Sequence, residues 1–389
     1  MIVAEMKKIL VVAAILAVTL ATIWSGPAFS HETLTTTVLF DREIVQILNR
    51  RCVMCHFEKG PSFPLETYEQ TWLRGRQVRA SVIARHMPPW NAVSGYGQFA
   101  NDNSLTLRET QFVVSWVEGL GPRNSGTIFT NIVDDGAPRR KVIRAETNFE
   151  HAQLGKPGLT VALPSNTVEA KSADIVVRTT VDLGLTSERR VRAIEYVPGD
   201  RRVTRAVFLT IQETGQWIGS WTPWYGFTSL PNGDAYRLPP GTHVAAEVYY
   251  RGAADRVVDQ GVLRLFFDDS AKSASVTDMT LAAKPVGLNG AASRKFRSEI
   301  RLAADMDVLA LRPEILPGVD SIEVSSRRPD GGIDILLYAK DLTIDWPAPF
   351  LFKEPVVLRK GAMLTLTAYM NSKALLPAAY RLTVSRVAH

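Results

Sequence analysis

Cys52-Val53-Met54-Cys55-His56 is where this chain concentrates its chemistry, and it contains both cysteines of the 389 residues. Two thiols three positions apart, followed at once by an imidazole, have three chemical uses. A Cys-x-x-Cys pair can cycle between dithiol and disulfide, but that use goes with a surrounding βαβ pattern, which is missing here. A structural zinc ion takes four nitrogen or sulfur ligands, and no second cysteine pair completes the set. Cys-x-x-Cys-His is also the attachment signature of a c-type haem. In that use the two thiols reach the two vinyl groups of the porphyrin and the next residue places its imidazole under the iron. This reading predicts one haem c, bound covalently by Cys52 and Cys55, with His56 as axial iron ligand. The expected second axial ligand is Met87, in Arg85-His86-Met87-Pro88-Pro89-Trp90, with His86 as its rival and a plain core role as the other reading of Met87. Methionine opposite histidine is the usual cytochrome c pair, and two prolines after Met87 stiffen the loop by fixing φ.

Helices have to position these groups. Asp41 can cap a helix over 41–51 with Ile44, Ile47 and Leu48 on one face, which hands the chain to the Cys-x-x-Cys-His motif. A second helix is expected over 66–85, with Trp72, Val78 and Val82 as its apolar positions. A third opens on the capping box Thr106-x-x-Glu109, runs through Phe112, Val113, Trp116, Val117 and Leu120 at helical spacing, and stops at Gly119, Gly121 and Pro122. The expectation is a small all-α cytochrome c domain over residues 31–122. Arg74, Arg76, Arg79 and Arg85 have two readings, as partners of haem propionates or as a solvated helix face.

The remaining chain has a different texture. Residues 123–150 read as a linker. From about 151, short alternating segments follow one another, among them Ile175, Val177, Thr179 and Val181; Val244, Ala246, Val248 and Tyr250; and Leu364, Leu366, Ala368 and Met370. Turn signals such as Pro198-Gly199-Asp200 and Pro329-Asp330-Gly331 separate them. Many short strands at this spacing predict two β-sandwich (jelly-roll) domains, over 151–272 and 273–389. The expected fold class is therefore multidomain, a small all-α domain followed by two β-sandwiches.

The chain opens on a targeting pattern, with Lys7 and Lys8, an apolar run from Ile9 to Ile23, and Ala28-Phe29-Ser30 as a small-x-small cleavage site before His31. Met6 is an alternative start. The run is shorter than the roughly 20 residues that span a bilayer. A cleaved signal peptide over 1–30 and a periplasmic location are therefore expected, with an uncleaved membrane tether as the alternative. Export supports haem, because bacterial haem attachment takes place outside the cytoplasm. A net charge of +6 is too small and dispersed to argue for nucleic acid, and suits acidic redox partners or an anionic membrane surface.

A family resemblance runs through these features. Phe63-Pro64-Leu65-x-Thr67-Tyr68, Met87-Pro88-Pro89-Trp90, Gly95-Tyr96-Gly97-x-Phe99-x-Asn101-Asp102 and Trp116-Val117 resemble bacterial proteins that fuse a cytochrome c to a copper type II, ascorbate-dependent monooxygenase-like module, a relative of peptidylglycine monooxygenase. Further on, Arg192-Ala193-Ile194-Glu195-Tyr196-x-Pro198-Gly199, Arg201-Arg202-Val203 and Leu238-Pro239-Pro240-Gly241 resemble the module's first half. Pro329-Asp330-Gly331, Glu354-Pro355 and Asn371-Ser372 resemble its second. The resemblance implies two jelly-roll domains with a copper on each, held by five histidines and a methionine. This chain departs from that pattern. Arg205 and Ala206 stand at the family's His-His pair, Tyr249 and Arg251 at its His-x-His pair, and Arg312-Pro313-Glu314-Ile315 at its Pro-His-Met-His stretch. Beyond residue 122 the only histidines are His151, His243 and His389, too few for two such centres. Copper is therefore not expected.

The expected function is single-electron transfer by an exported mono-haem c-type cytochrome, with the β module docking an unidentified redox partner. The cytochrome c maturation machinery is a necessary second partner. No catalytic residue is assigned. A haem- and copper-dependent monooxygenase-type oxidoreductase is one alternative. The other is a redox-sensing binding protein whose cleft Arg205, Glu247, Tyr249 and Arg251 would line, unless these residues form a salt-bridged sheet face.

Overall fold

A computed structural model describes residues 36–124, 154–268, 275–287 and 294–388, except 232, 343 and 372–374. The expected signal peptide and most of the expected linker lie outside these residues, as do His151 and His389. Among the described residues no helix is long and apolar enough to cross a membrane.

Three helices come first. A π-helical turn over Phe40–Ile44 runs into α1 (Val45–Arg51), and α2 (Tyr68–Ile83) and α3 (Leu107–Glu118) follow. Both longer helices open on complete capping boxes, Thr67 with Gln70 and Thr106 with Glu109. Asp41 does not cap α1. The helix begins at Leu39, whose amide donates to the Glu43 carboxylate at 2.9 Å, so Glu43 takes the capping role from four residues ahead. Trp72 is not a core residue either. It is 55% exposed and donates its indole N–H to the Leu120 carbonyl at 3.3 Å. Phe40, Ile44, Ile47, Leu48, Val113 and Trp116 form the apolar cluster of this part.

Strands follow in chain order: β1 (Leu159–Ala162), β2 (Asn166–Val168), β3 (Ile175–Asp182), β4 (Arg189–Val197), β5 (Thr204–Ile211), β6 (Trp217–Trp221), β7 (Phe227–Ser229), β8 (Tyr236–Leu238), β9 (His243–Tyr250), β10 (Val257–Asp259) and β11 (Val262–Phe267). They form an antiparallel sheet β1-β11-β4-β7, with β8 also on β4, a second sheet β3-β9-β5-β6, and the short ladder β2-β10. Residues from both sheets, among them Ile194, Tyr196, Leu263, Val207, Leu209, Val244 and Val248, share one core. In β9 every second residue from Val244 to Tyr250 is buried in it, as period-two side chains on a one-sided sheet must be.

The rest is one eight-stranded sheet, β16-β15-β18-β13-β12-β19-β14-β17, built from β12 (Val276–Pro285), β13 (Lys295–Arg301), β14 (Met306–Pro313), β15 (Val319–Arg327), β16 (Ile333–Lys340), β17 (Phe350–Leu358), β18 (Met363–Met370) and β19 (Tyr380–Ala388). β12 pairs with β19 from Val276 to Ala283 and with β13 only at Lys284 and Pro285. The sheet curls through that handover. Phe296, Ile322, Leu337 and Leu366 from one half meet Leu281, Met306, Leu311 and Leu382 from the other in one core.

A curled sheet leaves two edges, here β16 and β17, and the chain between α2 and α3 binds both. Val93 N donates to Tyr338 O at 2.8 Å and Lys340 N to Asn91 O at 3.0 Å. Ala100 N donates to Leu351 O at 2.7 Å, and Lys353 N to Gln98 O at 2.9 Å. The Asn101 amide bonds Pro349 O and the Leu351 amide at 2.7 and 3.1 Å. Phe99 is 3% exposed and lies against Trp90, Phe350 and Phe352 inside the sheet's core.

These contacts correct the expected fold class. Among the described residues 43% are in strands against 13% in helices, and the eight-stranded sheet is curled. Among the described residues there is no small all-α domain, because the segment between α2 and α3 belongs to the β architecture. Unpaired edges have to be covered or blunted, and that demand draws 91–101 out of the helical part.

Phe99→Ala is expected to cost about 3–5 kcal/mol, the usual range for a buried phenylalanine, read from the denaturant midpoint. Hydrogen exchange should quicken in β16 and β17 together, while β3 and β9 keep their protection.

Candidate functional site

α1 carries the cysteine motif. Its buried stripe of Ile44, Val45, Ile47 and Leu48 seats it in the helical cluster. At Cys52 the backbone leaves the helix (φ −121°, ψ −50°). The amides of Cys52 and Val53 both donate to Leu48 O at 2.9 Å, and those of Cys55 and His56 to Cys52 O at 3.1 and 2.9 Å. The pentapeptide is thus one hydrogen-bonded turn, pinned by the fully buried Val53. Both thiols leave the same turn unbonded, Cys52 half-buried and Cys55 buried.

The loop after the turn folds back onto it. Leu65 N donates to His56 O at 2.9 Å. A Cβ on Gly60 would lie 2.8 Å from Phe57 O and 3.0 Å from Cys55 O, so only glycine allows this closure. The loop also brings Phe63 to His56, with ring centroids 4.8 Å apart. His56 Nδ1 lies 2.9 Å from Phe63 O. A carbonyl oxygen can only accept, so Nδ1 carries the proton and Nε2 keeps its lone pair. Burial holds the imidazole's proton affinity below the ordinary histidine value, which favours the neutral ring that ligates metals.

Burial pushes the Cys52 thiol up to about 12, and the neighbouring Cys55 adds to the rise. Cys55 is also pushed up to about 12 by burial, against the opposing positive charges of Arg201 and Arg205. Reactive Cys-x-x-Cys pairs have lowered thiol pKa values, often at a helix N-terminus. These thiols follow a helix C-terminus, where the macrodipole disfavours an anion. The arrangement is unsuited to dithiol redox catalysis. Around it, Asn49 Oδ1, Arg51 Nε and Asn103 Nδ2 are buried without a hydrogen-bond partner among the described residues. No group of three or more His, Cys, Asp or Glu side chains among those residues is arranged to hold a metal ion.

Met87 stands half-buried just after α2 and His86 is exposed. Both amides fold back to Ser81 O, at 2.9 Å from His86 and 3.3 Å from Met87. Met87 is not in the apolar cluster that includes Cys52. The α2 arginines are solvated or engaged: Arg79 pairs with Glu118, Arg74 lies over the Phe63 ring, and Arg76 and Arg85 are exposed.

Of the four cleft candidates, Glu247, Tyr249 and Arg251 are engaged with partners on and beside the sheet. Glu247 bonds Arg178 at 2.8 Å and accepts from Tyr249 Oη. Arg251 pairs with Asp174 and Asp345. His243 is exposed and bonded to Glu213 at 2.8 Å, which raises its proton affinity. Arg205 is buried on a different course. Its position interrupts the β5–β9 register between Thr204 and Ala206, and its guanidinium lies 4.6 Å over the Trp346 ring. Sequence reasoning missed the nearness of Arg201 and Arg205 to Cys55, since some 150 residues separate them and no local pattern signals it.

No protein-family model matches this chain, and no curated protein is similar to it. Among solved structures, PNGase F, a glycosylasparaginase from Flavobacterium meningosepticum, is similar over 59% of this chain and 96% of its own, at 12% identity and a TM-score of 0.26. A cupin 2 conserved barrel domain protein from Leptotrichia buccalis is similar over 62% and 94%, at 11% identity and a TM-score of 0.13. A CBM22 tandem from Paenibacillus barcinonensis is similar over 60% and 94%, at 9% identity and a TM-score of 0.16. Likenesses this slight carry no argument about function.

In chain produced without haem-attachment machinery, a thiol raised to about 12 is on the order of 10⁻⁴ thiolate at pH 8. Iodoacetamide should therefore alkylate Cys52 and Cys55 on the order of a thousandfold more slowly in native than in denaturant-unfolded protein, followed by mass spectrometry. Comparable rates would contradict the burial described.

Proposed function

We propose that this chain is an exported mono-haem c-type cytochrome that transfers single electrons, with a haem joined covalently to Cys52 and Cys55. The carrying observation is the hydrogen bond from His56 Nδ1 to Phe63 O, which leaves Nε2 as a ligand beside two free thiols on the same turn. The donor set fits the group: two unbonded sulfurs for the thioethers, one neutral imidazole for iron, and buried polar atoms nearby without partners. This fit depends on the turn alone and requires no all-α domain.

Met87 is proposed as the second axial ligand. Its thioether is half-buried where His86 is exposed. When bound, the haem supplies a one-electron couple. The chain's own residues do the rest: α1 and Val53 hold the turn, the Phe63 carbonyl sets the imidazole's tautomer and orientation, and burial shields the Cys55 sulfur. His56 and Met87 would hold the iron, and the chemistry supplied there would be one-electron exchange rather than oxygenation. Copper has no role in this proposal, since Arg205, Tyr249, Arg251 and Glu314 offer none of the imidazoles that the resembling module uses. The reading includes a periplasmic location, an unidentified redox partner protein, and dependence on haem-attachment machinery.

Protein exported from cells that mature c-type cytochromes should be red and carry one covalent haem, one iron and no copper per chain. Cys52→Ala/Cys55→Ala should come out colourless. Met87→Ala should keep the covalent haem but lose the weak near-infrared methionine–iron band and shift to a lower midpoint potential. Colourless wild-type protein would sink the proposal.

A further inference from the structure

Arg205 is a charged side chain only 4% exposed. Its Nε is buried with no hydrogen-bond partner among the described residues. A buried guanidinium is costly unless an anion or several acceptors meet it. Asp174 and Asp345 offset part of its charge at a distance, but both hydrogen-bond Arg251 rather than Arg205. Arg251 adds a like charge nearby, and with burial brings the Arg205 pKa down to about 10, which still leaves it cationic at neutral pH. Stacking on Trp346 uses one face of the guanidinium and leaves the edge donors unspent.

A path of contacts leads from Arg205 to the cysteine turn. Trp346 lies against Trp224, with ring centroids 6.4 Å apart. Trp224 donates its indole N–H to Asn101 O at 3.1 Å. The next carbonyl, Asp102 O, accepts from Arg51 Nη1 at 3.0 Å, and Arg51 directly precedes Cys52. Cys55 in turn lies within electrostatic reach of Arg205 and Arg201, the latter anchored to Pro223 O at 2.8 Å. The register break in β5 has a use here, because a bulge re-aims the side chain it carries.

We propose that Arg205, projected from the β5 bulge toward the cysteine turn, is the counter-ion of a haem propionate, so that the β architecture tunes the haem potential. This rests on the haem reading above. The shared chemistry is a carboxylate, and a guanidinium edge meets a carboxylate in bidentate fashion. A cation against a propionate offsets the negative charge that would otherwise favour ferric iron. Arg205 is a positioning and tuning residue and takes part in no bond-making step.

The test is a potentiometric titration of intact haem-loaded protein, comparing wild type with Arg205→Gln, Arg205→Met and Arg205→Lys. Gln keeps hydrogen-bond donors and drops only the charge, so it covers the case in which the apolar variant does not accumulate. The uncharged variants should have a lower midpoint potential. At an ambient potential equal to the wild-type midpoint, their reduced-to-oxidised ratio should fall about tenfold, which is ~59 mV for a one-electron couple. Lys should recover most of the loss. A red, haem-loaded Arg205→Gln protein with the wild-type potential would overturn the assignment, and that is also the result if Arg205 holds a free carboxylate instead. Colourless wild-type protein would overturn the haem reading itself, so the two failures are distinguishable.

Discussion

Residues 91–101 exchange backbone hydrogen bonds with β16 at one end and β17 at the other, the two edges of the same curled sheet. That bracing joins the helical part to the eight-stranded sheet. It satisfies polar groups that two open strands would leave bare. It also fixes the carbonyls of Asn101 and Asp102, on which Trp224 and Arg51 rest. The cysteine turn is therefore held from two directions, by the apolar stripe of α1 and by a segment that belongs structurally to strands some 250 residues further on.

Within that frame one proton decides the chemistry of the turn. A histidine with both nitrogens free can take either tautomer. Once Phe63 O accepts from Nδ1, the lone pair is assigned to Nε2. Phe63 is in place because the loop closes over Gly60 and returns at Leu65. A second-shell carbonyl that fixes a ring in this way is a common device at metal-ligating histidines.

Much of this was legible from short-range patterns. The capping boxes at Thr67 and Thr106 form as such boxes should, though only the second was read from the sequence. The β9 alternation matches its burial residue for residue. Elements that depend on distant partners were not legible. The stretch 88–103 carries prolines, glycines and aromatics that suit a ligand loop, and nothing local reveals that Phe99 enters the core of a sheet formed by residues 276–388. Asp41 looked like a cap because its type is right, yet Glu43 reached the open amide first. Arg205 stands out in the sequence as a cleft candidate, but its nearness to Cys55 does not, because a bulge shifts the period-two pattern by one residue and re-aims the side chain.

The bracing by 91–101 also imposes an order of events. Its partners lie near the far end of the chain, and closing so long a loop comes late in folding. Only when the last strands are in place are the carbonyls of Asn101 and Asp102 fixed under Trp224 and Arg51, so the surroundings of the cysteine turn are completed from the far end of the chain.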